Sequence, residues 1–163
     1  MANNYLLILS LAAALGCGLM AGIFFAFSNF VMRGLARISR DHGILSMQAI
    51  NITVLNPLFF LAFFGTGLLC AASVALTMIG DGRQGGAYLL TGSALYLLGN
   101  IGVTAVFNVP LNKALARVDA TAEEASPVWR HYLEKWTFWN HVRTLTALCA
   151  AAAFMLGSIL SAA

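Results

Sequence analysis

The run Trp139-Asn140-His141-Val142-Arg143-Thr144 puts an amide, an imidazole, a guanidinium and a hydroxyl within six consecutive residues. On a helix that turns about 100° per residue, Thr144 lies about 40° and His141 about 100° from Asn140, with Arg143 about 60° away on the other side. Asn140 and Thr144 then share an inward face, flanked by His141 and Arg143. Such a set can hold a general base and a stabiliser of developing negative charge around one pocket. Arg143 also has a plainer use: a long basic side chain in a membrane helix can snorkel to lipid phosphates.

In a four-span topology further polar side chains, Asn100 excepted, gather near this run. Ser28 and Asn29 close the first apolar segment, and Gln48, Asn51 and Asn56 open the second. Asn100, Thr104, Asn108 and Asn112 follow one another at four-residue steps, on one face of the third. For each asparagine taken singly, the ordinary role is an interhelical tie. Metal ligation is the competing use of the histidines. His42, His131 and His141 have no i,i+4 histidine pair, HExxH or carboxylate partner, so no metal site is expected, and convergence of the three stays an open alternative. Cys17, Cys70 and Cys149 lie in apolar runs without ligand spacing and read as small buried hydrophobes.

The elements that must position these residues are membrane helices. Of 163 residues 60% are hydrophobic and 9% charged, where a soluble domain carries about a quarter charged. A water-soluble fold of this length has too little interior to hide that surface, so lipid is the solvent for much of it. Charges cut the chain into apolar segments at about 5–32, 53–79, 87–109 and 138–161, one integral membrane domain over 1–163. The expected fold is all-α, a transmembrane four-helix bundle. A short interfacial helix from Ile44 to Asn51 precedes span two, and an amphipathic lead-in (Val128, Tyr132, Trp136, Trp139) precedes span four. Pro57 suits a first helical turn, Pro110 is expected to stop span three, and Ser126-Pro127 reads as an N-cap and first helical residue. The apolar N-terminus has no basic flank and reads as a retained first span rather than a signal peptide.

Basic residues set the expected orientation. Arg33, Arg37 and Arg40 in the first connection and Lys113, Arg117, Arg130 and Lys135 in the third compare with Arg83 alone in the second. Connections one and three should therefore be cytoplasmic and both termini outside, in a bacterial inner (plasma) membrane. The net charge of +3 has no basic run with interleaved aromatics, which argues against nucleic acid as a partner. Ala14, Gly18, Gly22 and Ala26 form a small-residue stripe for close helix contact. A contact inside the bundle is the favoured use, and a seam between two copies, giving a homo-oligomer, is the other.

Several segments resemble the anthrone-oxygenase-like membrane proteins: Ala21-Gly22-Ile23-Phe24-Phe25-Ala26-Phe27-Ser28-Asn29-Phe30-Val31-Met32, Met47-Gln48-Ala49-Ile50-Asn51 with Asn56-Pro57, Asn108-Val109-Pro110-Leu111-Asn112, and Trp139 to Thr144. The resemblance implies a membrane-embedded oxygenase that converts an anthrone-like phenol to a quinone with O2 and needs no metal or flavin. It further implies His141 as general base, Arg143 and Asn140 as partners of the enolate oxygen with help from Asn108 or Asn112, and Phe27, Trp136 and Trp139 as walls of a slot for a flat ligand. Ser28, Gln48, Asn51 and Thr144 complete the expected substrate site. The alternative is a non-catalytic membrane protein that binds a quinone, haem or metal, or serves as a scaffold.

Overall fold

The computed structural model describes residues 2–79 and 85–162; Asp81 and Arg83 of the glycine-rich turn lie outside them. Within the described residues the chain is helical. α1 (Ala2–Ala26) continues through a π-helical turn (Phe27–Val31) into the short α2 (Met32–Leu35). α3 (Arg40–Thr53) precedes α4 (Pro57–Ile79), and α5 (Gly86–Tyr96) runs through two π-helical turns (Leu97–Gly102 and Thr104–Asn108) into α6 (Val109–Ala116). α7 (Ala125–Ala162) is one unbroken helix of 38 residues. Four stretches are long and apolar enough to cross a membrane: Tyr5–Leu35, Pro57–Ile79, Gly86–Ala116 and Ala125–Ser161. The chain is an all-α integral membrane protein.

The spans pack as a ring. α1 lies beside α7 and α4, and α5 lies beside α4 and α7. Their shared core mixes small and aromatic side chains, among them Ala13, Cys17, Phe24, Phe63, Tyr96, Ala150 and Phe154. The Tyr96 hydroxyl is satisfied there by donating to the Phe63 carbonyl at 2.9 Å, as a buried phenol in an apolar bundle must be. Outward faces carry large apolar residues such as Leu15, Leu58, Leu68 and Leu98, a surface suited to lipid rather than water.

A helix of 38 residues is about 57 Å long at 1.5 Å per residue, well beyond the ~30 Å hydrocarbon layer. The N-terminal part of α7 therefore extends beyond the hydrocarbon layer. Its apolar stripe (Trp129, Tyr132, Trp136) closes a second core with Met32, Ile44, Met47 and Leu115. α3 is the expected interfacial helix, somewhat longer than Ile44–Asn51, with Gly43, Ile44 and Met47 buried. A side chain at Gly43 would meet the Leu35 carbonyl and the Trp129 ring. Asn56 caps α4 by accepting the Phe59 backbone N–H at 3.0 Å, which gives this asparagine a structural use.

Four expectations need correction. Cys149 is exposed, unlike Cys17 and Cys70, and α7 begins at Ala125, so Ser126 lies within the helix rather than capping it. Pro110 does not end span three; it sits at the start of α6, and the helix runs on to Ala116. The π turn just before it has already broken the i→i−4 ladder, so the missing proline N–H costs little there. The Gly18–Gly22 step does not face the bundle: both glycines are exposed, with open space where a Cβ would stand. Close helix approach uses other glycines. A Cβ on Gly16 would strike Thr66, one on Gly92 would strike Phe154, and one on Gly99 would strike Thr146.

Candidate functional site

Arg143 is the only charged residue among the fully buried side chains described, with 5% of its surface exposed. α7 carries it in beside the π turns of spans one and three. Its Nη2 donates to Asn140 Oδ1, one helical turn earlier, and its Nη1 donates to Thr104 Oγ1 at 3.1 Å. The guanidinium lies over the Phe24 ring, 4.2 Å from the centroid, and 5.3 Å from that of Trp136. Both contacts are cation–π in character and strengthen in a desolvated setting. Neither they nor the two hydrogen bonds supply negative charge. The described ion pairs are the exposed His42–Asp41 and Lys135–Glu134, so no carboxylate answers this buried cation.

Asn140 is held from the other side. It is fully buried, and its Nδ2 donates to the Phe24 carbonyl and to Ser28 Oγ, both at 2.6 Å. The Phe24 carbonyl and the Ser28 hydroxyl are available because Phe27–Val31 is π-helical, a geometry that loosens the backbone ladder and recurs at functional sites. Thr144 Oγ1 donates to the Asn140 carbonyl at 2.9 Å, an ordinary bond back along its own helix. α1 thus fixes Asn140, and Asn140 fixes Arg143.

The guanidinium faces a cavity of about 110 Å³ between α1, α3, α4, α6 and α7, open at one side. Most of its wall is apolar, with Phe24, Phe27, Met47, Ile50, Phe59 and Trp136 prominent. Its polar wall consists of Asn51, Thr104, Asn108, Asn112 and Arg143. Asn108 Nδ2 donates to the Trp136 carbonyl at 3.3 Å. Tyr132 ties the asparagines at the outer end: its hydroxyl accepts from Asn51 Nδ2 at 3.3 Å and donates to Asn112 Oδ1 at 2.8 Å. Three buried polar atoms on wall residues have no protein partner, namely Arg143 Nε, Trp136 Nε1 and Asn108 Oδ1. Buried polar atoms are nearly always bonded, so these three leave the polar side of the wall under-satisfied.

The structure divides the residues expected at the site. Arg143, Asn108, Asn112, Asn51, Phe27 and Trp136 line the cavity, and Asn140 supports it from behind. His141 does not join them. It is exposed and borders a separate outward groove with Ser28, Met32, Arg33 and Thr137. Residues two positions apart on a helix point about 200° apart, so a buried Arg143 turns His141 away. Trp139 also stands elsewhere, stacked on Phe107 at 3.5 Å between ring centroids. Gln48 lies outside the inner cavity and ties α3 to the end of span three, donating to the Leu115 and Val118 carbonyls at 2.9 and 3.0 Å. The other histidines do not converge with His141: His42 pairs with Ser39 at 2.9 Å, His131 is exposed, and no three of His, Cys, Asp and Glu gather among the described residues.

Thr104, Phe24 and Tyr132 are the site residues that sequence reasoning left out. Thr104 gave a signal, the four-residue ladder with Asn100, Asn108 and Asn112. Asn100 belongs to that ladder in sequence only, since its Nδ2 reaches Thr146 Oγ1 at 3.1 Å, away from the cavity.

Fold and site together define a membrane four-helix bundle with an uncompensated buried cation in an aromatic-walled cavity. Residues 59–153 match the model of a family described as anthrone oxygenase, and the chain belongs to that family. The match takes in Thr104, Asn108, Asn112, Trp136, Asn140 and Arg143, and leaves α1 and α3 outside it. No curated protein and no solved structure matches the chain.

Proposed function

We propose that the protein is a membrane-embedded oxygenase that converts an anthrone-like phenol to the corresponding quinone with O2, without a bound cofactor, by holding the substrate as its anion against Arg143. The observation that carries this reading is the buried guanidinium with no carboxylate partner. An unpaired charge in an apolar interior is expensive, and an anionic oxygen delivered by the substrate would relieve it.

The chemistry follows from that charge. Anthrone carries acidic hydrogens on the methylene opposite its carbonyl. Loss of one proton gives an enolate whose charge rests largely on oxygen. A buried cation next to that oxygen favours the charged form of the ligand, and each unit of acidity gained corresponds to about 1.36 kcal/mol of preferential binding. The cavity wall has no histidine or carboxylate, so the proton goes to water at the mouth, and Arg143 takes over much of a base's work by stabilising what remains. The electron-rich enolate transfers one electron to O2, and the two radicals combine at the former methylene carbon. The peroxide anion formed there takes a proton back from water at the mouth, and the resulting hydroperoxide loses water to give the quinone. One substrate and one O2 become one quinone and one water.

In this assignment Asn140 and Thr104 position the guanidinium, the Trp136 indole N–H offers a second donor to the enolate oxygen, and Phe24 and Phe27 flank the rings. Aerobic conversion of anthrone to anthraquinone by the purified protein, above the rate in detergent buffer alone, is the test. An unchanged rate with folded protein present would overturn the reading.

A further inference from the structure

A second chamber of about 430 Å³ adjoins the cavity between α3 and α6, and the two share Asn51, Val54, Leu55, Val109 and Asn112 as walls. A ligand seated against Arg143 can therefore extend outward past the asparagines. Its far end would lie in a chamber whose polar wall consists of Gln48, Asn51, Asn112 and Lys113, with no acidic residue. Gln48 is pinned by its two backbone carbonyls, and Asn51 and Asn112 by the Tyr132 hydroxyl. Lys113 differs from them. It is exposed and forms none of the ion pairs among the described residues, although α6 places it on the chamber's wall.

Resting on the proposed function, we infer that this outer chamber is a subsite for an acidic substituent of the substrate, and that Lys113 is the residue that selects it. The favoured substrate class is then a fused-ring phenol or anthrone with a carboxylate on the ring away from the reacting carbon. Two features favour this class. The chamber offers cationic charge with amide donors and nothing that would repel an anion. The ring system in the inner cavity gives the substituent a fixed bearing, so one lysine on the chamber's wall can discriminate among substrates. Lys113 contributes specificity and takes no part in the oxidation, which occurs at the inner end.

Binding of two inert product-like probes separates this inference from the reading beneath it. Anthraquinone-2-carboxylate and anthraquinone-2-carboxamide differ in charge and little in shape, and both can be titrated against the whole protein in detergent. The wild type should prefer the carboxylate by about three- to fivefold, the scale of one exposed charge pair, and the preference should shrink as salt is added. Lys113→Gln should bind both probes at the carboxamide's affinity, and Lys113→Arg should keep the preference. A preference that persists in Lys113→Gln would overturn the inference, because Arg143 would then be reading the charge. Tight binding of both probes without preference in the wild type would also overturn it and leave the inner site intact. Failure of the wild type to bind either probe would overturn the reading of the inner cavity as well.

Discussion

Arg143 and His141 stand two residues apart on α7 and meet opposite surroundings. The guanidinium is sealed between Phe24, Trp136, Asn140 and Thr104, whereas the imidazole is exposed beside Arg33. A histidine outside the cavity cannot take a proton from a ligand inside it, since a general base must come within hydrogen-bond reach or one water of its target. His141→Gln should accordingly keep kcat and KM for anthrone within about twofold of wild type; loss of ~10²-fold or more, the scale of a missing general base, would contradict this placement. The sequence made the Asn140–Thr144 run legible as a polar patch but left its rotation open. A helical wheel gives relative angles, and which residue faces inward is decided by what α1 offers. Here α1 offers the Phe24 carbonyl and the Ser28 hydroxyl to Asn140, and that choice turns Arg143 in and His141 out.

The positions of Thr104 and Asn108 depend on the two π turns of span three, and those depend on how closely that span approaches α7. Gly99 lies within the first π turn, where a Cβ would come within 2.5–2.6 Å of three Thr146 side-chain atoms. Thr146 has little freedom to yield, because its Oγ1 also receives the Asn100 amide. Gly99→Ala should destabilise the bundle by about 1–3 kcal/mol, the cost of overpacking a tight contact, and lower turnover by displacing Thr104 from the guanidinium. Gly18→Ala, on open surface, should leave both unchanged; thermal unfolding in detergent compares the two, and equal stability of both variants would remove the proposed close contact. Pattern alone pointed to Gly18 and Gly22, because the four-residue spacing of small residues is the visible signature of close packing. The contacts actually made are at Gly16, against α4, and at Gly92 and Gly99, seven residues apart against α7, with no Gly-xxx-Gly step to mark them. The spans themselves, the interfacial α3 and the amphipathic start of α7 were readable, since hydropathy and the charge breaks determine them directly. The π turns were not, because they change the helical phase without a distinctive residue pattern.

At the level of the whole molecule, α2, α3, the end of α6 and the start of α7 meet in one core at a single end of the bundle. Arg37 and Lys113 must therefore be on the same side of the membrane. The excess of basic residues there predicts that side to be cytoplasmic. In intact cells, a membrane-impermeant thiol reagent should label Arg83→Cys and spare Arg37→Cys and Lys113→Cys, in a background without the native cysteines; labelling of Arg37→Cys would reverse the orientation. The same end holds the cavity mouth and Lys113, so a substrate would arrive from the interface and pass inward between α3 and α6.

One comparison tests the central claim most directly, the aerobic oxidation of anthrone by wild type and by Arg143→Met at equal concentrations of folded protein. Methionine fills much of the space without the charge. Losing a buried, uncompensated cation should leave the bundle about as stable as before, since the desolvation relieved offsets the hydrogen bonds lost to Asn140 and Thr104. If Arg143 holds the substrate as its anion, wild type will form anthraquinone well above the buffer rate. The variant will fall by about 10²- to 10³-fold, the usual effect of removing a donor that stabilises an oxyanion. Wild-type turnover in a folded Arg143→Met protein would contradict the account.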